Sequence, residues 1–366
     1  MNTNFSRRDA LRVASLALTG GWAGHASAAE GQTALLFAER MTPGINLGNT
    51  LEALPNETSW GQPATTQATM DGFKAAGFKS VRIPVAWFAH ADAEDRVDPR
   101  WMARVRQVVD YALQAGLIVM INTHWDGGWL NHTSYDKQAS LNRRLAGLWT
   151  QIATAFRDCD ERLVFAGTNE VGMENLWTPP TQEYADVQNS FNQTFVTTVR
   201  ATGGANASRF LVVQGYNTNI GHTLKYAVMP TDSVPDRLMM EVHYYDPYEF
   251  TLNGKGRIWQ WGAKAKDPKA TQTWADEPWV EKEFASLEER FVRRGVPVLI
   301  GEYGAYPKKQ YPGMRAYVHD WIRVVTSSMR RHGLVPMWWD TGGLIDRRTG
   351  RPREAEMLRL IVDNGR

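Results

Sequence analysis

From Gly44 onward the chain alternates short apolar runs with longer amphipathic ones, eight times over, and this repetition restricts the fold more than any other feature. The apolar runs are Gly44 to Leu47, Ser80 to Val85, Leu117 to Thr123, Leu163 to Gly167, Phe210 to Gln214, Leu238 to Val242, Val298 to Gly301 and Val335 to Trp338. Helix-like stretches fall between them near Thr66 to Ala76, Pro99 to Ala115, Ala139 to Arg157, Pro180 to Thr202, Pro278 to Arg294 and Pro312 to His332, with a last one over Arg353 to Asp363. Thr218 to Met229 can supply only a short helix. Alternating strands and helices imply parallel pairing, because each helix carries the chain back across the sheet. Gly77, Gly116, Gly295 and Gly333 each stand after a helical pattern and before a strand, where a left-handed residue closes a helix. The pattern predicts an α/β fold, a single (β/α)8 barrel; the alternative is a doubly wound open sheet.

Polar and aromatic residues gather where the apolar runs stop. In a barrel those strand ends form the active face. Asn46 and Asn49 follow the first strand, Arg82 lies in the second, and His124, Trp125, Asp126 and Trp129 follow the third. Asn169 and Glu170 end the fourth, Asn217 follows the fifth, and His243 and Tyr245 follow the sixth. Glu302 ends the seventh, and Trp338, Trp339 and Asp340 finish the eighth. Two carboxylates facing one glycosidic bond suffice to hydrolyse it: one protonates the leaving oxygen, the other attacks the anomeric carbon. Arg82 beside one carboxylate would keep it ionised, while burial and the neighbouring charge would keep the other protonated. A retaining mechanism requires the two groups about 5–5.5 Å apart.

The N-terminus stands outside this pattern. Arg7-Arg8, a mildly apolar run from Val13 to Ala23 and the small residues Ala26-Ser27-Ala28 resemble a twin-arginine signal peptide. Its removal at residue 28 would leave residues 29–366 as the catalytic domain of an exported protein, periplasmic or secreted. Lys plus Arg number 41 against 39 Asp plus Glu, so no basic excess exists to hold nucleic acid or an anionic membrane. The single Cys159 excludes an intramolecular disulfide and fits a buried small hydrophobe. Fifteen Trp outnumber 13 Phe and 12 Tyr, and flat indole faces suit stacking on sugar rings. A monomer with no cofactor, no metal and a neutral polysaccharide substrate is expected.

The residues carry a resemblance to glycoside hydrolase family 5, the group of retaining cellulases and related endo-glycanases, across nearly the whole chain after the signal. Asn46-Leu-Gly-Asn-Thr-Leu-Glu52 with Glu57-Thr-Ser-Trp-Gly61 resembles the opening of its bacterial endoglucanases, and Ser80-Val-Arg-Ile-Pro84 the strand bearing its arginine. The resemblance implies that Glu170 is the acid/base and Glu302, in Gly301-Glu-Tyr-Gly304, the nucleophile. It implies that Asn49, Asn46, Arg82, His124, Asn169, His243, Tyr245, Trp129 and Trp339 surround the substrate. The substrate it implies is a β-glucan with internal β-1,4 bonds, cellulosic or mixed-linkage, with xyloglucan or mannan as alternatives. The chain departs from the family pattern at Val171, where proline is usual, and at Trp125, where a second histidine is usual. Trp125 would enlarge an aromatic wall, and strand alternation lets only one of Trp338 and Trp339 face inward.

Two rival chemistries remain at this level. His124, Asp126 and His132 could be metal ligands of a metal-dependent hydrolase, although only His124 and His243 end strands. A non-catalytic sugar-binding barrel would need the aromatics but not a protonated Glu170. Trp60, Trp129, Trp177, Trp259 and Trp261 fall in predicted active-face loops and are candidates for lining a long cleft, whereas Trp101, Trp149 and Trp321 sit at apolar helix positions and are expected to pack.

Overall fold

The computed structural model describes residues 33–366 except Trp177. The signal-peptide reading of residues 1–28 therefore lies outside the described residues. Eight parallel strands close in sequence order, β1-β2-β3-β4-β5-β6-β7-β8, with β1 pairing to both β2 and β8. They are β1 (Gly44–Asn46), β2 (Ser80–Ile83), β3 (Ile118–Asn122), β4 (Leu163–Ala166), β5 (Leu211–Gln214), β6 (Leu238–Tyr244), β7 (Val298–Tyr303) and β8 (Val335–Trp338). Closure excludes the open-sheet alternative. The outer helices include α2 (Gln67–Ala75), α3 (Pro99–Gln114), α4 (Tyr135–Ala155), α5 (Gln182–Ala201) and the short α6 (Ile220–Tyr226), which fills the weak fifth unit. A one-turn α7 (Tyr248–Thr251) interrupts the long loop after β6, and α8 (Glu277–Arg290), α9 (Met314–Arg331) and α10 (Ala355–Asn364) complete the ring. The four glycines expected to close helices all have positive φ, from 69° at Gly333 to 105° at Gly77.

An unforeseen helix, α1 (Ala34–Glu39), covers the N-terminal mouth of the barrel. Its sequence is apolar on one side, and Phe37 stacks on Phe210 with ring centroids 4.0 Å apart. Phe37 and Met41 share one buried cluster with Met120, Val164, Val212, Met239, Leu299 and Met337, the inward-facing side chains of the strands. Outward neighbours such as Val119, Phe165, Val213, Val242 and Ile300 pack instead against the helices. This inside/outside alternation follows from the period of two along a strand. Trp149 and Trp321 are fully buried in the outer cluster and Trp101 nearly so, as their helix positions predict.

Higher in the barrel the inward positions turn polar. Asn46, Arg82, Asn122, Gln214 and Glu241 are all fully buried and form the floor of the active face. Buried polar groups of this kind require partners, and here they largely supply one another.

Candidate active site

Glu302 reaches the site through an irregularity in β7. Leu299 faces the barrel interior and Ile300 the helices, so strict alternation would point Gly301 inward and Glu302 outward. The β6–β7 register runs Val242 to Ile300 and then His243 to Glu302, leaving Gly301 as an extra residue. The bulge returns Glu302 to the inside and sends Tyr303 out to the helices, where it is buried. Gly301 also needs its missing side chain: a Cβ there would lie 1.9 Å from Oε1 of Glu241.

Arg82 organises the floor. Its Nη1 donates to Glu302 Oε1 at 2.9 Å and to Asn46 Oδ1 at 3.0 Å, its Nη2 donates to Asn169 Oδ1 at 2.5 Å, and its Nε lies 2.9 Å from Glu241 Oε1. Asn169 is thereby oriented, with its amide nitrogen not used by Arg82. Tyr245 donates its hydroxyl to the second oxygen of Glu302 at 3.1 Å. Burial and then the Glu302 charge push the Tyr245 hydroxyl well above its usual range, so it stays a donor.

His243 links three carboxylates. Its Nδ1 is 2.7 Å from Glu170 Oε1 and 3.7 Å from Glu302 Oε2, and its Nε2 is 3.4 Å from Glu241 Oε1. Burial disfavours the imidazolium, but Glu302, Glu170 and Glu241 outweigh it and raise the His243 pKa to about 10. Burial likewise opposes ionisation of Glu241, yet Arg82, His243 and Gln214 hold its pKa at about 2. Glu241 is therefore a fixed anion and His243 a fixed cation at neutral pH. Sequence reading passed over Glu241 because it is one polar letter in the apolar run of β6; the unpaired positive charge of an inward Arg82 was the available hint.

One oxygen from each of Glu170 and Glu302 and a ring nitrogen of His243 lie within 4.8 Å of one another. Like charges this close share a proton. Burial raises Glu302, with the Glu170 charge contributing, whereas the hydrogen bond and charge of His243 lower Glu170 against the effect of burial. The Glu170 side chain is 46% exposed. A sugar lying over it would strip that water and favour its protonated form, while Arg82 and Tyr245 remain to stabilise an ionised Glu302.

The two glutamates open into a cleft of about 590 Å³. His124 and Trp339 form one side, with rings stacked at 5.9 Å and nearly parallel at 8°. Asn122 Nδ2 lies 3.3 Å from His124 Nδ1, so that nitrogen accepts and Nε2 carries the proton. Burial, Arg82 and His243 hold His124 well below its usual pKa, making it a neutral donor. Trp338 is fully buried among the helices and Trp339 faces the cleft, which resolves that pair. Trp125 and Tyr248 stand 54% and 58% exposed at the opening, with Asn131 and Asn217 also at the lining. Tyr248 carried no sequence signal, since only the turn of α7 lifts it to the rim.

Several expected contacts are not made. Asn46 is buried beneath the cleft and holds Arg82 rather than sugar, donating to the carbonyls of Gly301 and Met337. Asn49, at φ 61°, gives its backbone N–H to Glu52 and does not line the cleft. Trp129 packs edge-on against Phe88 at 4.6 Å and under Arg144, away from the substrate face. Trp261 is buried, with its indole N–H on the Ala275 carbonyl, and Trp259 stacks on Tyr311. Trp60 is exposed but outside the cleft lining, and Trp177 lies outside the described residues. The metal reading also loses its ligand set: Asp126 spends both oxygens on the backbone N–H groups of Trp87, Phe88 and Ala89.

A closed (β/α)8 barrel with two carboxylates within 4.8 Å at the ends of β4 and β7 defines a retaining glycoside hydrolase. The family model for cellulase, glycosyl hydrolase family 5, matches residues 46–344, and the chain belongs to that family. It is 42% identical to a xyloglucan-specific endo-beta-1,4-glucanase of Bacteroides ovatus, over 90% of this chain and 70% of that protein. It is 40% identical to endoglucanase A of Paenibacillus barcinonensis, over 91% and 89%. Among solved structures, a Bacteroides ovatus family 5 xyloglucanase in complex with a XXXG heptasaccharide superposes with a TM-score of 0.87 at 41% identity, covering 91% of this chain and 76% of that one. A broad-specificity endoglucanase from Bacteroides salanitronis gives 0.86 at 36% identity, covering 92% and 96%.

Proposed function

We propose that this chain is an endo-β-1,4-glucanase in which Glu302 is the nucleophile and Glu170 the acid/base. The observation that carries the assignment is the pairing of Glu302 with Arg82 and Tyr245 while Glu170, within 4.8 Å of it, is 46% exposed to the cleft. Glu302 attacks the anomeric carbon as the glycosidic bond breaks, and Glu170 gives its proton to the departing oxygen. Glu170 then takes a proton from water, whose oxygen displaces Glu302 from the same carbon, so configuration is retained. Asn169 and His124 donate to sugar hydroxyls, and Trp339 supplies the stacking face.

The proposed substrate is a β-1,4-glucan or mixed-linkage glucan. A second reading, xyloglucan as preferred polymer, is favoured by the standing of Trp125 and Tyr248 at the rim, which offers apolar surface beside the backbone track for side-chain sugars, and by the xyloglucan-degrading relatives. Reducing ends released from carboxymethylcellulose, mixed-linkage glucan, xyloglucan and mannan would rank these. Release from none of them would refute the glucanase reading, and retained hydrolysis in Glu170→Gln would refute the acid assignment. Loss of hydrolysis with retained binding in that variant separates the enzyme from a sugar-binding barrel.

Residues 7–28 support export through a twin-arginine route, with action outside the cytoplasm, and one chain supplies every group of the site, which supports a monomer. Among the described residues no helix is long and apolar enough to cross a membrane.

A further inference from the structure

A second hollow, of about 400 Å³, lies on the far side of α7 from the catalytic cleft. Tyr248 and Leu252 face the cleft, while Glu249 lines the hollow, so one helical turn forms the wall between them. Its other lining residues come from the loop that follows α7, which the catalytic reading does not use. Trp274 stands at its edge 42% exposed, held edge-to-face by Trp279 at 5.5 Å and 83°. An exposed indole held in a fixed orientation offers a flat apolar face on which a pyranose ring can stack. Beside it, Thr271 Oγ1 and Gln272 Oε1 are buried from solvent and have no hydrogen-bond partner. An unpaired polar oxygen costs about 1–3 kcal/mol, and a small turn of either side chain toward the hollow would relieve that cost by pairing it with a hydroxyl-bearing ligand.

The hollow is rigid. Lys308, buried after β7, donates Nζ to the carbonyls of Glu249, Gly256 and Ile258, which ties the α7 wall to the loop. Gln260 Oε1 accepts from the backbone N–H groups of Lys266 and Asp267, and both Trp259 and Gln260 donate backbone N–H to the Ala270 carbonyl. A site held this way loses little entropy on binding.

We propose that this hollow is an auxiliary β-glucan-binding site, with Trp274 stacking on a pyranose ring and Thr271 and Gln272 pairing with its hydroxyls. It would hold polymer outside the cleavage cleft, so it rests on the glucanase reading for its ligand. The glutamate side chain of Glu249 and the guanidinium of Arg257 complete a polar rim suited to neutral sugars. Because the wall is one turn thick, a polymer in the cleft raises the local concentration of its own continuing chain at the second hollow, and a short oligosaccharide does not.

The test compares wild type, Trp274→Ala and Trp274→Phe on the soluble glucan that wild type cleaves best and on a short chromogenic cello-oligosaccharide. The expected result is a rise of about fivefold in KM for the polymer in Trp274→Ala, with kcat and the oligosaccharide kinetics unchanged and with Trp274→Phe recovering most of the loss. Native gels containing the glucan give an independent readout, since Glu302→Gln should be retarded more than Glu302→Gln with Trp274→Ala. Equal KM and equal retardation, or equal losses on polymer and oligosaccharide, would overturn the proposal. Failure of wild type to release reducing ends would strike the glucanase reading instead, and is visible before any variant is made.

Discussion

Replacing Glu302 by Gln tests the coupling on which the mechanism depends. Glutamine keeps the shape of the side chain; its one oxygen can still accept from Arg82, while its NH2 stands where Tyr245 donated and can give a hydrogen bond to that hydroxyl instead, so the change is mainly removal of charge. The reacting oxygens of the two glutamates are within 4.8 Å. At an effective dielectric of about 20, two unit charges at that distance repel by about 332/(20 × 4.8), or about 3.5 kcal/mol. Glu170 is 46% exposed, so solvent screening brings this to about 2 kcal/mol. Without the Glu302 charge Glu170 should bind its proton about thirtyfold more weakly, and its titration should move to lower pH. Carbon-13 labelling of glutamate carboxyls, with Glu170→Gln to assign the resonance, reads this directly. An unchanged Glu170 midpoint in Glu302→Gln would refute the shared-proton account. Turnover in the same variant should fall on the order of 10⁴-fold with the melting temperature nearly unchanged, because no nucleophile remains.

Glu241→Gln should lower stability by about 3 kcal/mol near pH 6, because Arg82 and His243 lose a buried counter-charge. The pH dependence has a defined sign. Glu241 is depressed from 4.5 to about 2, so its contribution is present above about pH 4.5 and lost as pH falls toward 2. His243 is raised from 6.5 to about 10, so its contribution is complete below pH 6.5 and lost as pH rises through 10. Melting temperature against pH should thus show a plateau between these limits in wild type and flatter flanks in Glu241→Gln; identical flanks would contradict the ion network. Trp339→Ala should raise KM about tenfold with little change in melting temperature, whereas Trp338→Ala should cost about 3–5 kcal/mol of stability. The opposite pattern in thermal melts and Michaelis kinetics would mean that the two indoles are exchanged.

The barrel was legible because both of its periodicities are local: alternation within a strand and the glycines that close four of the helical segments are written into adjacent residues. The acidic strand ends were legible for the same reason, since Glu170 and Glu302 each terminate an apolar run. Helix α1 was not, because a six-residue segment, apolar but for Glu39, gains helical form from the barrel mouth that it covers, a contact with strands far along the chain. Asn46 and Trp129 were misread as substrate contacts since a residue at a strand end can face the cleft, the floor or a neighbouring helix, and only packing decides which.

Sequence alone therefore determined the eight-unit order and singled out the candidate carboxylates, arginine, histidines and tyrosine. Tertiary structure decided how those groups act on one another. The bulge at Gly301 turns Glu302 inward, and the same glycine leaves room for Glu241 to bind Arg82 and His243 from below. Charge interactions depend on separations of a few ångströms across strands that are distant in sequence, so the proposed coupling of Glu170 to Glu302 can arise only once the barrel has closed.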